Sequence, residues 1–164
     1  MASQNAEMNM SSNEPTVDRR ERLQTTIDSL IKLRQDVIVS YCKLSGVSSF
    51  DKRDLEAHKV NAKQLRSFCQ IMVDYTAMGH FEVYQRIIEG KERRVAVKET
   101  SDEVYPAIAE TTDFLVDFND KYDAFEGSDD DVEMLANDLS RLGQIIAIRG
   151  ELEDQILDAL RQKK

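Results

Sequence analysis

The sequence predicts an all-α fold: an antiparallel four-helix bundle with an additional short helix and a flexible N-terminal tail. Three observations carry that expectation. Only 6 Gly and 2 Pro occur among 164 residues, too few breakers for the turn-rich grammar of a sandwich or barrel. Apolar residues recur in steps of four and three rather than in strict alternation, as in helices buried along one stripe. The one stretch with strand character, around Val95 and Val97, has no neighbour to pair with. A chain of this length suits a single domain that buries roughly 70% of its unfolded surface. The boundaries read as a tail over 1–15 and one bundle over 16–164.

The elements follow in order. Residues 1–15 are small and polar, rich in Ser, Asn and Met, and lack periodicity. The first stripe is Leu23, Ile27, Leu30, Arg34, Val37, Tyr41 and Leu44, closed by Gly46. Residues 46–60 make a polar connection. A second stripe, Leu65, Phe68, Cys69, Met72, Val73 and Thr76, runs into Gly79-His80. A kink or break is expected there, because Gly costs about 1 kcal/mol inside a helix. Phe81, Tyr84, Ile87 and Ile88 then form the short helix, ending near Gly90. Thr100-Ser101-Asp102-Glu103 has the form of a capping box. It is expected to open a third long helix with Val104, Ile108, Thr111, Leu115, Phe118 and Tyr122 on its stripe, and Pro106 in or near its first turn. After Gly127-Ser128, the acids Asp129, Asp130 and Asp131 suit the positive end of the last helix. Its stripe is Val132, Leu135, Leu139, Leu142, Ile146, Arg149, Glu153, Ile156 and Leu160. Such heptad-like spacing belongs to bundles with shallow crossing angles.

Charge and composition exclude several functions. With 31 acidic against 22 basic side chains and a net charge of −9, the chain lacks the clustered Lys and Arg that grip phosphates. A basic protein partner fits this balance. Cys42 and Cys69 are too few for a disulfide framework or metal knuckle and read as small buried hydrophobes. The N-terminus has no basic region followed by an apolar one, and no apolar run reaches the ~20 residues that span a bilayer. A soluble, cytoplasmic protein is expected. Di-iron bundles need a Glu three residues before each metal-binding His. Neither His58 nor His80 has one, so no metal and no cofactor is expected. There is no nucleophile elbow and no Gly-rich phosphate loop. Glu151-Glu153-Asp154 reads as a solvated helix face rather than an acid–base pair. The protein is therefore expected not to be an enzyme.

One alternative is a signalling bundle that takes phosphate on His58. Ala57-His58-Lys59-Val60-Asn61-Ala62 faintly resembles the Ala-His-x-x-Lys-Gly signature of histidine phosphotransfer domains. Asn61 and Ala62 stand where that signature has its Lys and Gly, which removes much of the electrostatic logic.

Charges inside the apolar stripes are more informative. Arg34 holds a core position in the first helix, and Arg149 and Glu153 hold core positions in the last. A buried ion is costly unless paired. Either they lie at the edge of a widened bundle and reach solvent by snorkelling, or they form one polar seam, with Asp74 or Tyr41 as further members, that holds the bundle open as a cleft. The seam is the reading expected here. Arg149 and Glu153 are four apart, where side chains on a helix meet.

Phe68-Cys69-Gln70 followed by Asp74-Tyr75, then Gly79-His80-Phe81 and Tyr84, resembles the densest motif of the Rsd/AlgQ family of bacterial anti-sigma factors. Leu33-Arg34 through Tyr41, Leu44 and Gly46, Tyr105-Pro106, and Arg149 with Leu152-Glu153-Asp154 resemble further family patterns. The chain departs from them with Leu30 where the family often has Trp, and Gly150 where an aromatic is usual. The resemblance covers roughly residues 20–162. It implies stoichiometric binding to the primary sigma factor of RNA polymerase, mainly its region 4. That binding hinders sigma from joining core polymerase and recognising the −35 element. Other regulatory proteins are further partners in some members; direct nucleic-acid or membrane binding is not implied. The partner-binding residues it suggests are Arg34, Asp74, Tyr75, His80, Phe81 and Tyr84, with Asp74, Tyr75 and His80 on a partner-facing rim.

Overall fold

The computed structural model describes residues 16–45, 60–88, 93–125 and 132–162. The expectations for the tail over 1–15, for His58, for Gly90 and for Gly127 through Asp131 lie outside these residues. Helix α1 spans Thr16–Ser45 and α2 spans Ala62–Met78. A π-helical segment, Gly79–Tyr84, continues α2 directly into the short helix α3, Gln85–Ile88. Helix α4 spans Val95–Tyr122 and α5 spans Val132–Arg161.

Long-range contacts fix the topology as up-down-up-down. Tyr41 Oη on α1 donates to the Leu139 carbonyl on α5 at 2.7 Å, while Arg34, earlier on α1, reaches the later Gly150 carbonyl at 3.3 Å. The α1–α5 pair is thus antiparallel. Phe68 of α2 meets Phe118 of α4 edge-on, and Tyr84 meets the earlier Tyr105, so that pair is antiparallel as well. Lys121 pairs with Asp138 at 2.7 Å, and Thr111 pairs with the later Arg149, which makes α4 and α5 antiparallel. The α1–α5 seam is sparser than the α1–α2 and α4–α5 pairings.

The core follows the apolar stripes. At one end an aromatic series runs through Tyr41, Phe68, Phe118, Tyr122 and Phe125. Such pairs add about 0.5–1.5 kcal/mol each to the burial of their area. Polar side chains close the helix ends there and opposite: Arg66 donates to the Phe125 carbonyl at 2.7 Å, and Arg94 to those of Leu160 and Gln162 at 2.8 and 2.9 Å. The last two are carbonyls that a helix C-terminus leaves without partners.

Four local expectations are corrected. Helix α4 begins at Val95, so Thr100 through Glu103 lie inside it, and the cap is Arg94 with no side-chain cap bond. Burial of Val97 and Ser101 against the core extends the helix past its best local start signal. Pro106 therefore sits in the helix interior, on its exposed face. The Val95–Val97 stretch, which has no neighbour to pair with as a strand, forms the first turn of this helix. Gly79-His80 is not a break but the start of the π segment. Finally, Cys42 is exposed and only Cys69 is buried; burial, with the Asp123 charge adding to it, pushes the Cys69 thiol up to about 12.

Candidate functional site

Glu153 has no solvent exposure and is the centre of a charge hub to which all four long helices contribute. Tyr75 Oη donates to its Oε1, and Tyr84 Oη donates to its Oε2 at 2.7 Å. Arg34 Nη1 lies 3.6 Å from Oε1, and Arg149 Nε lies 3.5 Å from Oε2. Two hydroxyl donors and two guanidinium groups thus compensate one buried carboxylate, the condition under which a buried ion is tolerated.

Arg149, 1% exposed, is anchored on its far side. Its Nη1 donates to Thr111 Oγ1 at 3.0 Å and Thr112 Oγ1 at 2.8 Å, and its guanidinium lies 5.3 Å from the centre of the Tyr75 ring. Its Nε has no hydrogen-bond partner, so its attraction to Glu153 is Coulombic rather than directional. Arg34 lies at the rim, 16% exposed on its side chain. It pairs with half-exposed Asp154 at 2.9 Å and donates to the Gly150 carbonyl. Burial opposes the charge on Arg34, but Asp154 and Glu153 outweigh it and hold the pKa above the ordinary value. Burial first, and then the Glu153 charge, raises the pKa of both Tyr75 and Tyr84 well above that of a free phenol.

Gly79 allows this close packing. A Cβ there would lie 3.1 Å from Tyr84 Cε2, and 3.6 Å from both Arg149 Nη2 and Leu30 Cδ1.

The structure brings Arg34, Arg149 and Glu153 together. It leaves Asp74 outside: that side chain is exposed and accepts from Gln70 Nε2 at 3.0 Å. Tyr41 is outside as well, bonded to Leu139 near the other end of the contact between α1 and α5. Tyr75 and Tyr84 are buried, so neither sits on a partner-facing rim; they serve the hub. Glu153 is likewise no part of a solvated face, although Glu151 and Asp154 are exposed. His80 and Phe81 are exposed and meet edge-on at 4.8 Å. Phe81 also borders an open groove of about 450 Å³ between α1 and the π segment, which Thr25, Ser29, Met78 and Glu82 help to line.

A second outer feature escaped the sequence reading. Glu99, Glu103, Glu110, Asp113, Asp117 and Asp120 recur in four-three steps along α4, and all are exposed. Pro106 takes the one missing place. Asp102 lies beside this line, and the helix carries only Lys98 and Lys121 in return. The line from Glu99 to Asp120 is about 31 Å long at 1.5 Å per residue. Like charges three and four apart repel by a few tenths of a kcal/mol each, so the arrangement costs the helix stability. The signal lies in the sequence itself: the four-three spacing that marks the apolar stripe of α4 also marks these acids.

Among the described residues, no group of three or more His, Cys, Asp or Glu side chains is placed to hold a metal ion. No helix there is long and apolar enough to cross a membrane.

The class so defined is an antiparallel helical bundle built around a buried ionic hub, with an acidic line on one outer face. Comparison with known proteins makes the assignment: the chain belongs to the Rsd/AlgQ family, described as "Regulator of RNA polymerase sigma(70) subunit, Rsd/AlgQ", which matches residues 9–161. It is similar to the "Regulator of sigma D" of Yersinia pseudotuberculosis, 35% identical over 133 residues, which cover 80% of this chain and 76% of that one. The protein of the same name from Yersinia enterocolitica is 33% identical over 132 residues, covering 80% and 77%. The one from Shigella dysenteriae is 29% identical over 142 residues, covering 84% and 87%. No solved structure matches.

Proposed function

We propose that this protein is an anti-sigma factor. It binds the primary sigma factor stoichiometrically, mainly through region 4, and so hinders sigma from joining core RNA polymerase and recognising the −35 element. It acts by occupancy in the cytoplasm, without catalytic turnover or cofactor, and the bundle over 16–164 is the binding unit. The relatives' names, regulators of sigma D, support sigma as the partner. The observation that carries the reading is the acidic line on α4. Region 4 presents a basic helix-turn-helix surface to DNA, and a row of exposed carboxylates competes for the same positive charge.

Two surfaces divide the work. The α4 line supplies long-range attraction, while Asp74, His80 and Phe81 on the α2 side supply short-range contacts, with Arg34 at the rim of the hub. Tyr84 contributes from beneath as a support, while Tyr75, buried in the hub, belongs to the core of the bundle. The test is a pull-down of the purified protein against sigma and core polymerase. Capture of sigma, and loss of sigma from the holoenzyme as the protein is added, is the expected result; capture of core polymerase alone contradicts the proposal.

A further inference from the structure

A uniform α-helix advances about 100° per residue. Tyr84, nine positions after Tyr75, would then stand about 180° away from it and face solvent, and Glu82 would turn into the core. Instead Val83 and Tyr84 are buried and Glu82 is exposed. The π winding of Gly79–Tyr84 absorbs one residue; the Gln85 amide donates to the His80 carbonyl, five residues back. That adjustment puts Tyr75 and Tyr84 on opposite oxygens of one carboxylate. A π segment is a higher-energy winding, common at functional sites, and something must hold it.

Of the Phe and Tyr side chains described, only Phe81, on the π segment, is exposed. Phe81 is 63% exposed and stands beside the groove lined by Ser29, Met78 and Glu82. Nine residues after Met72, Phe81 points away from the core in either winding. Its heading turns with the winding, because rewinding Gly79–Tyr84 as α-helix would swing the side chains from His80 onward about the axis.

We propose that Glu153 is a positioning residue for sigma binding: its hydrogen bond to Tyr84 fixes the winding of the π segment, and the winding aims Phe81 at the partner. The inference rests on the anti-sigma reading and deepens it. An apolar side chain of a basic sigma helix seats against Phe81 in the groove, and Glu82 meets a neighbouring base. Tyr75 shares the same carboxylate but precedes the π segment, so its hydroxyl supports the core without setting the winding.

The experiment uses the full chain and isolated region 4 of the primary sigma factor. It measures affinity by calorimetry, corrected for folded fraction, and amide exchange at Gln85 by NMR. Phe81→Ala should weaken binding about tenfold, a hot-spot loss, with Gln85 exchange unchanged. Tyr84→Phe should speed Gln85 exchange about tenfold, a local opening, and weaken binding at least about fivefold. Tyr75→Phe removes an equivalent hydrogen bond and should leave both readings within about twofold. Wild-type protein that binds sigma beside a Tyr84→Phe variant that binds equally well overturns the inference alone. So does unchanged exchange at Gln85 in that variant, or an equal loss of affinity in Tyr75→Phe. Wild-type protein that does not bind sigma overturns the anti-sigma reading, and the inference with it.

Discussion

Replacing Arg149 with Met tests the hub. The substitution keeps most of the side-chain volume, so little cavity is made, but it deletes a cation whose environment is 1% exposed. Glu153, itself wholly buried, would keep its two tyrosine donors and one guanidinium at 3.6 Å. Thr111 and Thr112 would lose their common donor. Breaking a buried pair by removing one partner costs about 3–5 kcal/mol. That is a large share of the roughly 5–15 kcal/mol that holds a domain folded, and corresponds to a Tm lowered by about 6–20 °C. Adding Glu153→Gln removes the stranded charge, and the double variant should regain about 2 kcal/mol relative to strict additivity. Arg34→Met should cost less, about 1–3 kcal/mol, because Arg34 touches solvent and its closer partner Asp154 is half exposed. Urea unfolding followed by far-ultraviolet circular dichroism measures all of these. An Arg149–Glu153 cycle additive within about 0.5 kcal/mol would show the two charges to be independent and refute the hub.

Three further outcomes follow from the same geometry. Stability should fall as pH rises above about 9–10: Cys69, Tyr75 and Tyr84 have pKa values raised in the fold, so the unfolded chain releases protons that the native one keeps. Each buried tyrosine loses about 1.4 kcal/mol per pH unit beyond its unfolded value, and Tyr75→Phe should flatten the slope in alkaline unfolding curves. Gly79→Ala should destabilise by about 1–2 kcal/mol, since a clash at 3.1 Å with pinned Tyr84 outweighs the helix-propensity gain of about 1 kcal/mol; a rise in Tm would show that Tyr84 is free to move. Replacing both Asp113 and Asp117 with Lys should slow association with region 4 and flatten its salt dependence in stopped-flow measurements. Stability should stay within about 0.5 kcal/mol, as for other surface changes.

The bundle was legible because apolar spacing decides helices and helices dominate the chain. Arg34, Arg149 and Glu153 were legible for the same reason, as charges standing where the stripe demands apolar groups. Tyr75 was legible by phase, seven residues after Phe68 and three after Met72; following the stripe along Cys69, Val73 and Thr76 passed over it, whereas Val73 is 39% exposed and Tyr75 is buried. Phe81, counted as core, stands nine residues after Met72, about 180° from the buried face, and is exposed; the phase change made by the π winding shows at Tyr84, which is buried. Nothing local in Gly79-His80 distinguishes a break from an extra residue absorbed within a continuous helix; the choice is made by Glu153, far away in sequence. The early start of α4 has the same origin, because packing at Val97 and Ser101 overrides a good cap signal at Thr100.

The central claim, that this bundle sequesters sigma through an acidic surface, is tested most directly by titration calorimetry of the purified protein against isolated region 4 at two salt concentrations. The account predicts a 1:1 complex whose affinity falls as salt rises, because screening over about 8–10 Å weakens attraction between the α4 carboxylates and a basic surface. No heat and no shift on gel filtration, or an affinity that does not respond to salt, would contradict it.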